Sequence, residues 1–387
     1  MPTWLKHAIP LVVFLLAACL FHCQVAEPYV YRSDIRLHIK YALAGEGYSL
    51  MALALRWLVG LFGNSPAWPI AIFEAFLVAG AYYPMMGICR KIVQNEWVAC
   101  AIAGGLFFWS SICIPFVSPF FYQNGIVTQP WHNSTYLGMR LFAAVVMYWL
   151  FDVLPRYAEH LTFGEWIKLA LSLTLATLMK PNFLMAFSPA LLLTLAVQTC
   201  MDKFAVRRVM GALKLGAVVF PALAVLYVQG RIVYDANASE GASGIAFLFF
   251  PSPFFAVGFW QVFLKLFRGL ALAMLVLAVH FWKNASALTA GEKFLYVQEV
   301  MGLFFAWFFV ETGPRAMHGN FGWGSLVTAY LLYGVVLARL GKDILAWRRG
   351  ETGRMVYCIV GIVLALGHLL SGILYFLRLL RAWPYMF

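Results

Sequence analysis

Long apolar runs alternate with short polar joints along nearly the whole chain. Within each run the apolar residues are continuous rather than alternating, which reads as helix rather than strand. A helix crosses about 30 Å of hydrocarbon with about 20 mostly apolar residues. Runs of that kind fall at 8–24, 68–89, 97–117, 135–154, 164–180, 182–199, 211–229, 262–282, 295–311, 323–340 and 355–379. They predict about eleven spans, although 164–199 is interrupted by Lys180-Pro181 and also reads as one kinked span. The stretch 49–62 is shorter and carries Arg56, so it is expected to lie in the membrane interface, as is 254–261. The expected fold class is all-α: a polytopic transmembrane helical bundle, one integral membrane domain over 1–387. A long first loop at about 25–67 would hold interfacial helices, and no soluble domain is expected.

Composition agrees with the pattern. Hydrophobic residues make up 63% and charged residues 11%, with a mean hydropathy of +0.81. Soluble domains carry roughly 25% charge, so this chain cannot cover a water-facing surface. Only helices and closed barrels satisfy their backbone in lipid. The net charge of +12 falls in short loops, which points to topology and anionic lipid rather than nucleic acid. The seven cysteines, Cys19, Cys23, Cys89, Cys100, Cys113, Cys200 and Cys358, lie mostly inside apolar runs and form no CxxC, so they read as apolar packers. The first run, Ile9 to Phe21 after Lys6, resembles a signal peptide but lacks a clear cleavage site, and is expected to be a retained helix.

Loop charge gives the chain a direction. With the N-terminus inside, the inner loops hold Lys6, Arg90, Lys91, Arg156, Lys168, Lys203, Arg207, Arg208, Lys214, Lys283, Lys293, Arg339, Lys342, Arg348, Arg349 and Arg354. The outer segments hold about half as many basic residues. No internal repeat, low-complexity tract or Walker-type loop is present.

In that orientation four polar constellations reach the outer face. In Ser33 to Tyr41, Asp34 and His38 would share one face of a helix, where a carboxylate beside an imidazole can take a proton from a hydroxyl. The plainer reading is a helix N-cap at the headgroups. In Gln129 to Tyr136, with Trp131, His132 and Asn133, a helix N-terminus would face outward, and Arg140 follows inside the span. Such a charge usually faces a polar cavity, whereas the tryptophan can be an interfacial aromatic. Asn133-Ser134-Thr135 also matches a glycosylation sequon. In Lys180-Pro181-Asn182 the lysine either snorkels or holds a phosphate. Glu311 to Trp323 packs an acid, Arg315, His318 and Asn320 between two apolar helices, and is either a site or a hairpin closure. Asp235 and Glu240 are further outer carboxylates. The segment 229–253 is rich in Gly, Ser and Ala and reads as a loose loop.

With these residues the chain resembles the GT-C superfamily of membrane glycosyltransferases, which use polyprenyl-phosphate-linked sugars. The likeness is architectural over most of the chain: about eleven helices, an N-inside start and a long first outer loop with interfacial helices. There, an acid in the first outer loop, often with a nearby His, is the base; Asp34 with His38 fits. The segments around His132, Lys180 and Glu311 look like motifs of uncharacterised bacterial relatives. Asp34 departs from the pattern by lacking a second acid beside it, and many members carry a soluble C-terminal domain that is not expected here.

The resemblance implies inverting transfer of a sugar from a polyprenyl-phosphate donor to an acceptor hydroxyl, on the extracytoplasmic face of the cell (inner) membrane. Asp34 and His38 would be catalytic. Arg315, Lys180, Arg140 and His132 would hold the donor phosphate. Trp131, Asn133, Glu311, His318 and Asn320 would touch substrate. The partners would be that donor, a glycan or lipid-linked acceptor, and the bilayer. No cofactor is expected, and a divalent metal is not required. The alternatives are a lipid-linked glycan flippase or other transporter, a polysaccharide polymerase, or an acyltransferase using His280 or His368.

Overall fold

The computed structural model describes the chain except residues 1–2, 32, 46–48, 64–65, 114–130, 237–243, 249–258, 285–287, 314–318 and 383–387. The fold is all-α, with one two-stranded ribbon among the described residues. Among the described residues seven helices are long and apolar enough to cross a membrane, which gives the chain its multi-pass membrane character.

The first long helix is α1 (Thr3–Ala26). Two short helices follow, α2 (Ile35–Ala44) and α3 (Leu50–Phe62), packed on each other. Gly45 ends α2 at φ +81°, a left-handed backbone that favours glycine, and Arg56 of α3 donates through Nε to the Ala42 carbonyl at 2.9 Å. Outward they present Leu37, Tyr41, Leu43, Leu53, Trp57 and Leu61.

The expected span 68–89 is a bent helix, α4 (Ala67–Gly80) and α5 (Tyr82–Val93), with Pro84 just past the bend. The expected span 97–117 is shorter than its apolar run. α6 (Glu96–Gly105) passes into a 3-10 turn at Leu106–Phe108, because Gly104-Gly105 weakens the helix and Trp109 turns extended. α7 (Ser134–Val153) and α8 (Phe163–Met179) pack closely, since an added Cβ on Gly138 would sit 2.6 Å from the Met179 sulfur.

The break at Lys180-Pro181 makes two helices. A residue before proline is pushed out of the helical region. Lys180 is accordingly extended (φ −161°, ψ 127°), and α9 (Asn182–Met201) starts after Pro181. α10 (Val206–Gly216) and α11 (Phe220–Ala236) form one further span. α12 (Phe259–Asn284) takes in the last residues of the expected interfacial stretch 254–261; the rest of that stretch lies outside the described residues. α13 (Ala290–Phe308) ends three residues before the expected 311, where the chain turns to strand. α14 (Trp323–Arg348) is longer than its run and α15 (Met355–Leu380) matches its own.

The ribbon pairs β1 (Ile245–Phe247) with β2 (Phe309–Glu311), antiparallel. The segment 229–253 is therefore not wholly a loose loop, because part of it fixes the backbone at Glu311.

α14 lies at the centre and touches α5, α6, α7, α9, α12, α13 and α15. Glycines let it approach its neighbours: a Cβ on Gly324 would lie 2.9 Å from the Asn182 carbonyl, and one on Gly302 would lie 2.9 Å from the Ser325 backbone. These contacts bring the starts of α7, α9 and α14 together at one end of the bundle, beside α2.

A candidate polar site at the start of α2, α7, α9 and α14

Asp34 occupies the N-cap position of α2, yet its side chain makes no capping bond there. The carboxylate turns to α7 instead, and Asn133 Nδ2 donates to Asp34 Oδ2 at 3.3 Å. His132 Nε2 lies 3.9 Å from the same oxygen, and the Asp34 backbone N–H donates to the His132 carbonyl at 3.1 Å. The His132 side chain is 1% exposed, whereas that of Asp34 is 29% exposed. The acid is thus anchored on a buried wall with part of it open.

Asn133 organises the wall. Its Oδ1 caps α7 through the Tyr136 N–H at 3.0 Å and accepts from Thr135 Oγ1 at 2.9 Å. It also accepts from Lys180 Nζ at 3.4 Å, and Lys180 further donates to Thr135 Oγ1 at 3.3 Å. The ammonium sits 4.1 Å from the centre of the Trp323 ring. The extended backbone imposed by Pro181 therefore carries Lys180 across to Asn133, on the same amide that holds Asp34.

Two imidazoles complete this half. His38 lies one turn beyond Asp34 on α2, and its buried Nε2 has no hydrogen-bond partner among the described residues. Burial first, and then the Lys180 ammonium, lower the His38 pKa from 6.5 to about 4, with Asp34 opposing. His132 is likewise lowered to about 4, by burial and then Lys180, against the pull of Asp34. Both rings are neutral near pH 7.

The other half starts at α9. Asn182 Nδ2 donates to the Asn320 carbonyl at 2.6 Å. Asn320 Nδ2 donates to the Glu311 carboxylate. Glu311 is held at the end of the ribbon and is buried. Lys180 and Asn182 flank Pro181, so the two halves meet at the α8–α9 joint.

Of the residues singled out from the sequence, Asp34, His38, His132, Asn133 and Lys180 come together in one half, and Glu311 and Asn320 in the other. Arg315, His318 and Glu240 lie outside the described residues, as does the side chain of Asp235. Two residues stand elsewhere. Trp131 is buried between rings, 4.9 Å from Phe376, 6.2 Å from Phe108 and 6.3 Å from Phe21. It is a packing wedge and does not line the polar group.

Arg140 is fully buried below the site. It donates through Nη2 to the Val78 carbonyl at 3.3 Å near the α4–α5 bend, and its guanidinium lies 4.9 Å from the Tyr330 ring centre and 5.7 Å from that of Phe107. The embedded charge does face inward, but onto aromatic rings and a kinked helix. His280 and His368 are buried packers of other joints: His280 bonds Asp343 at 2.8 Å and His368 bonds the Ser110 carbonyl at 2.7 Å.

Asn182, Thr135 and Trp323 belong to the site although sequence reasoning gave them no role. Each lies beside a residue that was singled out. Beneath the site, two fully embedded acids each accept from a serine in the first turn of a helix. Ser134 donates to Glu74, and Ser325 Oγ donates to Glu299 at 2.7 Å. An ionisable residue inside an apolar run was the available signal for both. Among the described residues no three His, Cys, Asp or Glu side chains converge as metal ligands.

No family model and no curated protein matches this chain.

Proposed function

We propose that this protein is a GT-C-like membrane glycosyltransferase. It would move a sugar from a polyprenyl-phosphate donor to an acceptor hydroxyl on the extracytoplasmic face, with inversion. One observation carries the reading: Asp34 leaves its own helix uncapped and shares the Asn133 side chain with Lys180. A carboxylate and an ammonium fixed on one rigid amide are the two charges that such a transfer needs.

Asp34 takes the proton of the acceptor hydroxyl. The oxygen attacks the anomeric carbon from the face opposite the phosphate. The bond from that carbon to the phosphate oxygen breaks, and the phosphate leaves with the electron pair. Lys180 balances the charge that builds there. His38 and His132, both neutral, do not add a second positive charge beside Asp34. Asn182, Asn320 and Glu311 offer amide and carboxylate groups for sugar hydroxyls. The donor reaches the site from the bilayer, with α2 and α3 in the outer interface and about eleven spans in the N-inside orientation.

The test is transfer by purified protein in nanodiscs, using a panel of polyprenyl-phosphate sugars and reading release of polyprenyl phosphate. Asp34→Asn abolishes release while the variant keeps its thermal unfolding profile. Full activity in Asp34→Asn removes the proposal.

A transporter for a lipid-linked glycan is the second reading. It is favoured by Glu74, Arg140 and Glu299, three ionisable groups deep in span interiors. Movement of labelled lipid-linked glycan across proteoliposomes, without release of polyprenyl phosphate, would select it.

A further inference from the structure

The start of α7, which carries Asn133, is tied to α4 at two depths. Ser134, the first residue of α7, donates through Oγ to the Glu74 carboxylate. Further along α4 the Val78 carbonyl accepts from Arg140 Nη2 at 3.3 Å. Glu74 and Val78 stand at i and i+4, so one face of α4 holds both ties.

Glu74 and Ser134 are each 0% exposed, and Glu74 Oε2 has no hydrogen-bond partner among the described residues. An acid buried in an apolar span is costly. Replacing a buried polar tie by well-packed apolar side chains is often neutral for stability, or stabilising. What the tie supplies is direction. A hydroxyl on the first residue of α7, held by one carboxylate, fixes how the first turn of that helix is rotated.

That rotation reaches the polar site within one residue. Asn133 precedes Ser134, and its Oδ1 accepts from the Tyr136 N–H at 3.0 Å and from Lys180 Nζ at 3.4 Å, while its Nδ2 donates to Asp34 Oδ2 at 3.3 Å. The last two bonds lie at the long end of the hydrogen-bond range. A small turn of the Asn133 amide therefore releases Asp34 or Lys180.

We propose that Glu74 is a positioning residue, which acts through Ser134 and Asn133 to set the spacing of Asp34 and Lys180. This rests on the glycosyltransferase reading and adds to it a buried residue that touches no reacting group. The competing role is a prop that only joins α4 to α7.

Full-length protein in nanodiscs is assayed for polyprenyl-phosphate release, for thermal unfolding and for hydrogen exchange. Glu74→Leu/Ser134→Ala removes both polar partners, so neither is left buried alone. It lowers kcat by about 10²-fold, the scale of a misplaced reacting group, with unchanged KM and no fall in unfolding temperature. Exchange quickens at the Asp34 and Tyr136 amides, which donate to the His132 carbonyl and to Asn133, and stays as in the wild type over the rest of α7. Glu74→Gln keeps an acceptor for Ser134 and retains wild-type kcat and exchange. Wild-type kcat in Glu74→Leu/Ser134→Ala overturns the proposal. So does a lowered unfolding temperature with faster exchange along the whole of α7, the signature of a prop. A wild type that releases no polyprenyl phosphate refutes the transfer reading instead, and exchange at the two amides then decides by itself whether Glu74 sets the site.

Discussion

The two ends of the helix bundle treat charge in opposite ways. At the end away from Asp34, acids and bases are spent on each other. Lys91 bonds Asp152 at 2.8 Å, Arg156 bonds Glu165, and Arg208 bonds Asp202 at 2.5 Å. Arg339 grips Glu292 with two bonds of 2.8 and 2.6 Å, both side chains buried. At the Asp34 end, the acid and the ammonium are both tied to a neutral amide, at 3.3 and 3.4 Å, and part of the acid is open. Closed pairs stabilise joints between helices. At the Asp34 end the neutral Asn133 side chain is shared by the two charges.

Breaking each end should therefore fail differently. Asp34→Asn is expected to lower transfer by about 10²–10⁴-fold with unchanged unfolding temperature, as read by product release and a thermal scan. Glu292→Gln should do the reverse at the other end. It leaves Arg339 buried without its counter-charge, which costs about 3–5 kcal/mol; denaturant unfolding in detergent measures it, and Glu292→Gln/Arg339→Met should recover part of the loss. Lys180→Met should raise the KM for the donor by about tenfold, the scale of one charge-assisted contact, with a smaller change in kcat.

Acid should sharpen the contrast. His38 and His132 titrate near 4 when folded against 6.5 when free, so the unfolded chain binds more protons between those values. Their neutral burial contributes fully above about pH 6.5, and that contribution falls as pH drops towards about 4. His38→Gln/His132→Gln should unfold with a flatter pH dependence over that window. The smallest effect belongs to the solvent-facing pair Arg349–Glu351, where Glu351→Gln should leave the unfolding temperature unchanged.

Much of the architecture was legible because hydrophobic run length is a direct physical requirement. Most apolar runs from 8–24 to 355–379 carry a helix, although among the described residues seven helices, not eleven, are long and apolar enough to span and the run 97–117 leaves the helix by Trp109; the two-residue break at Lys180-Pro181 follows from proline geometry. The grouping of Asp34, His132 and Lys180 was approached through their placement at helix ends. What run length does not encode is the direction each side chain takes. Trp131 and His132 are adjacent in the turn before α7, yet one is wedged among rings and the other faces Asp34. Arg140 was read as a ligand of the same site, but its rotation turns it to Tyr330 and Val78. Glu74 and Glu299 stand out as acids inside apolar runs, but run length does not say that each meets a serine of a neighbouring helix.

The joint at Lys180-Pro181 also bears on how the chain enters its membrane. α8 ends at Met179 and α9 starts at Asn182, so only two residues separate two apolar helices. On the eleven-span reading proposed above, neither helix would be threaded far ahead of the other, and the pair would enter the bilayer as a hairpin. In the N-inside orientation its leading tip is Lys180. On that reading the ammonium would be carried through hydrocarbon during biogenesis, and insertion of this hairpin should be the step most sensitive to the residue at position 180.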